Sequence, residues 1–135
     1  MPKAKINRAR EERIEMEVVV DAYGPEERAM GWYCYLEESL AFPFEARISI
    51  ELPTSPLNIG DKVEVLGMAP DTVCETDMFV WVRWPKRNLA VPLSQLVPLI
   101  NDEATNEAVA DWHYWVSHGY AFWHHGFAAA SNGFA

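Results

Sequence analysis

The stretch DKVEVLGMAPDTVCETDMFVWVRWPKRNLAVPLSQLVPL, residues 61–99, decides the fold. In 62–68 Val63 and Val65 alternate with Lys62 and Glu64, and 78–84 is a run of β-branched and aromatic residues, so both segments read as strands. An acidic loop joins them, and PKRN at 85–88 makes a tight turn into a short strand over 89–91. PLSQL then supplies a single helical turn before a last strand. Short strands at this spacing predict a small SH3-like β-barrel.

Working outward, Pro53, Ser55, Pro56, Asn58 and Gly60 make a turn-rich connection back to a strand over 46–52. Before it, Gly24-Pro25 opens a helix whose first turn carries Glu26 and Glu27, where the macrodipole favours acids. That helix runs to about residue 40. It is apolar on almost every side, which predicts burial between other elements. Phe42-Pro43-Phe44 ends it, since a residue before proline avoids helical angles. Upstream, Ile14, Met16, Val18 and Val20 alternate with Glu15 and Glu17, which reads as a strand with one wet face. Residues 1–12 are basic and without period, which suggests a solvated flexible arm. After the barrel, Asn101 or Asp102 caps a last helix with an apolar face of Ala104, Ala108, Trp112, Trp115 and Val116, and Gly119 marks its end. The predicted class is therefore α+β: a small SH3-like barrel, a buried N-terminal helix and a C-terminal capping helix. The core domain spans 13–120, and 121–135 is an apolar tail without a clean period.

Composition narrows the function. Twenty Asp and Glu stand against eleven Lys and Arg, and five of those bases lie in the first thirteen residues beside only two acids. That segment carries +3, which leaves −12 on the rest against −9 for the whole chain. Such a surface repels nucleic acid and attracts cations. Half of the residues are hydrophobic, which excludes disorder over most of the length. No run of about eighteen apolar residues and no leader pattern is present, so no membrane span is expected and the default location is the cytoplasm. Cys34 and Cys74 form no CxxC pair and read as a core thiol and a loop thiol, without chemistry.

RIEMEVVVDAY (13–23), ERAMGWY (27–33), FPF (42–44), VLGMAP (65–70), LAVPLSQL (89–96) and ADWHYWV (110–116) together resemble the cyanobacterial calcium-binding protein family of the CcbP type, over about residues 11–120. The resemblance implies a small acidic cytoplasmic protein that binds Ca2+ without EF-hands, as a buffer or regulator of the free ion. It assigns no ligand residues, and it does not reach the arm or the tail.

Calcium takes six to eight hard oxygens, from carboxylates, carbonyls and water. No EF-hand loop occurs, so a site must be assembled from separate elements. Three acidic clusters offer themselves. Asp71, Glu75 and Asp77 share one loop with Thr72 and Thr76, where side-chain and backbone oxygens can both wrap an ion. Glu37 and Glu38 lie in the last turn of the first helix, where the macrodipole makes acids unfavourable unless a cation is near; Asp21 can approach the same region. Glu103, Glu107 and Asp111 follow at spacings of four on the last helix and rank last, because a solvated acidic face explains them. The expected metal ligands are Asp71, Glu75, Asp77, Glu37, Glu38 and Asp21.

Other chemistries fit less well. His113, His118, His124 and His125 have no metal-site spacing. Paired acids alone do not make a glycosidase, and no phosphate loop or nucleophile motif accompanies them, so a non-enzyme is expected. The alternative is an SH3-like interaction module, in which Trp81, Trp84, Trp112 and Trp115 form an exposed groove and the acidity attracts a basic or Pro-rich protein partner.

Overall fold

The computed structural model describes residues 6–20, 22–53 and 55–118. In chain order these form α1 (Arg8–Arg13), a π-helical turn (Ile14–Val18), α2 (Pro25–Ser39), β1 (Phe44–Ile48), β2 (Lys62–Met68), β3 (Phe79–Val82) and β4 (Leu89–Pro92), followed by a 3-10 turn (Leu93–Gln95), β5 (Leu96–Pro98) and α3 (Glu103–Ser117). Every strand pairing is antiparallel, and the sheet order is β4-β3-β2-β1-β5. The class is α+β, as read from the sequence. The sheet is not closed, however: β4 and β5 are its two edges, so the barrel is not formed by strand pairing.

The strands and turns expected over 61–99 are present, including the single helical turn between β4 and β5, although β3 covers only 79–82 of the expected 78–84. Alternation puts Val63 and Val65 of β2 and Val80 and Val82 of β3 into the core. Between Val65 and Gly67 the pairing with β3 slips, which bends β2 where it leads into the acidic loop. β1 spans 44–48 rather than 46–52, because Phe44 already pairs with Val65.

α2 and α3 meet through an aromatic cluster. Trp32 is fully buried, with ring centroids 5.0 Å from Trp112, 5.5 Å from Trp115 and 5.8 Å from Tyr35. The expectation of an all-round buried α2 is corrected: only the stripe Arg28, Ala29, Trp32 and Leu36 is buried, while Met30 and Cys34 are exposed. The two cysteines exchange the places read from sequence, since Cys34 points off that stripe and Cys74 anchors its loop inside.

The largest correction lies at the N-terminus. Residues 14–18 are helical, not a strand, and residues 8–12 belong to a helix, not to a solvated arm. Ile14 and Val18, four apart, are the buried pair, while Met16 is 67% exposed; the contact face has helical spacing and the alternation is incidental. Asn7 caps α1, its Oδ1 accepting the Arg10 N–H at 3.0 Å. The helix lies along α3. The guanidinium groups of Arg10 and Arg13 each approach Asp111 Oδ1 at 2.5 Å, and both pair with Glu107. The Tyr35 hydroxyl donates to Asp111 Oδ2 at 2.6 Å. Asp111 is fully buried, so the third acidic cluster is no open face: its counter-charges come from the basic N-terminus.

Gly31 of α2 lets this segment pack closely, because a Cβ there would collide with the Val18 carbonyl oxygen.

α3 starts at Asp102, which accepts the Thr105 N–H at 3.0 Å and the Thr105 hydroxyl at 2.7 Å. That hydroxyl oxygen in turn accepts the Ala41 N–H at 2.9 Å, which ties the end of α2 to the start of α3. The two Thr105 bonds, the hydroxyl first, hold the Asp102 carboxyl below its ordinary value of 3.8. A depressed carboxylate contributes stability above the unfolded value and loses it as pH falls through the folded one. Asp102→Ala should therefore lower the thermal midpoint by about 4 °C at neutral pH, with the gap to wild type closing under acid; scanning calorimetry across that range checks it.

Candidate metal centre

α2 presents a second stripe, opposite in character to its buried one. Glu26, Met30, Tyr33 and Glu37 follow at helical spacing and face the loop that joins β2 to β3. Glu26, Ala29, Met30 and Tyr33 on the helix and Asp71, Thr72, Cys74 and Glu75 on the loop enclose an open cleft of about 240 Å3. Turns shape the loop: Val73 N–H donates to the Pro70 carbonyl at 2.8 Å, and Cys74 N–H to the Asp71 carbonyl at 3.1 Å. Cys74 then pins it. The thiol sulfur sits 3.5 Å from the Phe79 carbonyl oxygen and accepts the Phe79 N–H at 3.4 Å. Burial, partly opposed by the Phe79 backbone hydrogen bond, pushes the Cys74 thiol up, so it stays protonated and structural.

The cleft is electronegative. Tyr33 has its hydroxyl pushed above 10.0, by burial first, then by Glu37, Cys74, Asp71 and Cys34. Glu37 on the helix and Asp71 on the loop thus act on one hydroxyl. Of the residues read from the sequence the cleft is lined by Asp71 and Glu75, both from the loop; Glu37 is not among its lining residues and acts on Tyr33 only electrostatically. Glu38 is exposed one position further along α2, and Asp21 lies outside the described residues. Asp77 goes elsewhere. Its carboxylate turns back to accept the Met78 N–H at 2.8 Å and lines a different cavity, with Leu52 and Phe79. Glu26 and Tyr33 are additions that sequence reading missed; the spacing 26, 30, 33, 37 is the signal that would have found them.

Among the described residues no three His, Cys, Asp or Glu are close enough to form a ready cage. The donor chemistry nevertheless fits a hard cation. Exposed Glu26, Asp71 and Glu75, the Thr72 hydroxyl and loop carbonyls offer oxygen, while the thiol that lines the cleft, that of Cys74, is buried and protonated. The histidines are engaged elsewhere: His113 Nε2 lies 2.8 Å from the Leu96 carbonyl and His118 Nδ1 2.9 Å from that of Tyr114. His124 and His125, like the whole tail 121–135, lie outside the described residues. Trp112 is buried in the core, which removes it from any exposed groove, and Trp81, Trp84 and Trp115 are half-buried and pack against that core.

A family model described as "Calcium binding", of the CcbP type, matches residues 12–116. The chain belongs to the CcbP family of calcium-binding proteins. Two solved structures agree with it. One is the crystal structure of Anabaena CcbP, 42% identical, with a TM-score of 0.78, covering 89% of this chain and 98% of that one. The other is described as a calcium-binding protein in its calcium-binding form, 41% identical with the same TM-score and coverage. No curated protein matches the chain. CcbP is a family of calcium-binding proteins. The resemblance read from 13–23, 27–33 and 110–116 is thereby established, as are calcium as the family's ion and the cyanobacterial relative. No helix among the described residues is long and apolar enough to cross a membrane.

Proposed function

We propose that this protein is a cytoplasmic calcium buffer or regulator that holds Ca2+ in the cleft between α2 and the loop 71–75. The observation that carries the reading is the cleft that Glu26, Asp71, Thr72 and Glu75 line beside Tyr33, in a chain of a calcium-binding family. Asp71, Glu75 and Thr72 would supply oxygens from the loop and Glu26 from the helix, while Glu37 and Glu38, about three turns further along α2, would add negative charge rather than share the same ion. The bound ion would neutralise the mutual repulsion of these acids. Because the ligands are exposed and unassembled, affinity in the range of about 10⁻⁶ M, fast exchange and competition by salt are expected. The return of β5 beside β1 after a single helical turn supports an SH3-like connectivity for the domain that carries the site.

Calorimetric titration of chelator-treated protein, at physiological salt with millimolar magnesium, tests the reading. The double variant Asp71→Asn with Glu75→Gln should weaken one site at least tenfold, about 1.4 kcal/mol. An unchanged isotherm removes the loop from the site. Tryptophan fluorescence recorded in parallel separates a sensor, whose packing responds, from a passive buffer.

A further inference from the structure

Asp77 lines a cavity other than the cleft of Asp71 and Glu75, and its surroundings describe another kind of site. It opens on a cavity of about 470 Å3, within the range of small-ligand and peptide pockets. One wall is β4, Leu89 through Pro92; the other is the connection at Leu52, Ser55 and Pro56; Phe79 lies between them. Among the described residues β4 is a sheet edge that pairs with β3 alone, through Val91 opposite Val80 and Ala90 opposite Trp81. Its outer side therefore offers free backbone groups along the cavity. Pro92 has no N–H to give, which confines pairing to the three residues before it.

The charge pattern is equally specific. Asp77 is half-buried, and among the described residues the hydrogen bond its side chain makes is to its own neighbour, the Met78 N–H. No cation among the described residues is within ion-pair distance of it. Phe79 pairs with Pro92, so Asp77 lies at the Pro92 end of the edge. Lys86 and Arg87 are exposed in the turn at the Leu89 end. The edge thus runs from an acid to a pair of bases.

We propose that this cleft docks an extended peptide segment of a partner protein, which adds to the outer edge of β4 and sets a lysine or arginine side chain against Asp77. Main-chain pairing with β4 supplies affinity and the Asp77 ion pair supplies register. An acid in the peptide, toward the Leu89 end, meets Lys86 and Arg87. The site is separate from the calcium cleft and does not depend on calcium being bound there.

The probe is a randomised heptapeptide library on phage, selected against chelator-treated protein, with the enriched peptide then titrated into isotopically labelled protein by NMR. The expected result is enrichment of a basic residue within a β-branched segment, with saturable amide shifts in Leu89, Ala90 and Val91 that persist in excess calcium. Asp77→Asn, which can still accept the Met78 N–H and so keeps its loop, should weaken binding at least tenfold. A peptide with its lysine acetylated should weaken equally on the wild-type protein, a control that needs no variant to fold. The proposal is overturned if no basic position is enriched, if shifts are confined to residues 71–75, or if neither Asp77→Asn nor acetylation changes affinity. Loss of calcium binding in Asp71→Asn with Glu75→Gln should leave the peptide isotherm intact.

Discussion

Replacing Asp111 with alanine should destabilise the protein by about 3 kcal/mol, seen as a lower midpoint in urea unfolding. The carboxylate is fully buried and joins three helices: Arg10 and Arg13 of α1 hold one oxygen, the Tyr35 hydroxyl of α2 the other, and its backbone belongs to α3. Removing one member of such a buried set leaves the others desolvated and unpaired. The arginines soften the loss, since their side chains are 21% and 29% exposed and can turn to water and toward Glu107, which keeps the figure at the low end of the range for buried pairs. Asp111→Asn retains an acceptor for Tyr35 but loses the charge, and should fall between alanine and wild type. Limited trypsin digestion gives a second readout. Cleavage after Arg10 and Arg13 should accelerate in both variants, because opening of α1 then costs less than global unfolding. Equal cleavage rates with lowered global stability would mean that the ion pairs do not hold α1 down.

Gly31→Ala should destabilise by about 2 kcal/mol, although alanine is the better helix former by roughly 1 kcal/mol. The added Cβ meets a backbone oxygen, that of Val18, which cannot swing aside as a side chain would. The turn Ile14–Val18 must lift from α2 and drag Arg10 and Arg13 with it. The two substitutions therefore damage one contact surface. In a double-mutant cycle their combined cost should be less than the sum, by at least about 0.5 kcal/mol. Strict additivity would show that the glycine contact and the ion pairs act independently.

How much of this was legible in the sequence follows from the range of each determinant. β2 and the turns at 85–88 and 93–95 are specified by alternation and by turn chemistry over a few residues, and they are found where expected. The N-terminal segment is not. Ile14 and Val18 fit a period of two, with Met16 between them, and a period of four without it, and the helical choice is fastened through Arg13 to Asp111, nearly a hundred residues away. The sheet's openness is likewise a property of edges meeting or failing to meet, which no local pattern encodes. Asp71, Glu75 and Glu37 were readable as candidates because a loop and a helix C-terminus each make acids conspicuous. Glu26 was hidden by a sufficient local reason, its place in the first turn of α2. Asp77 was grouped with its neighbours because the direction a carboxylate takes within a loop is set by its own backbone hydrogen bond, not by spacing.

The contact between α1 and α3 also orders events during synthesis. Arg10 and Arg13 leave the ribosome long before Glu107 and Asp111, and at about 5–20 residues per second the delay is on the order of 5–20 s. Throughout that interval the basic segment has no partner from its own chain on the α3 side, while the strands that follow can already pair. The N-terminal helix is thus made first and seated last, and a nascent chain arrested before α3 emerges should present its arginines to any polyanion nearby, the ribosomal RNA included.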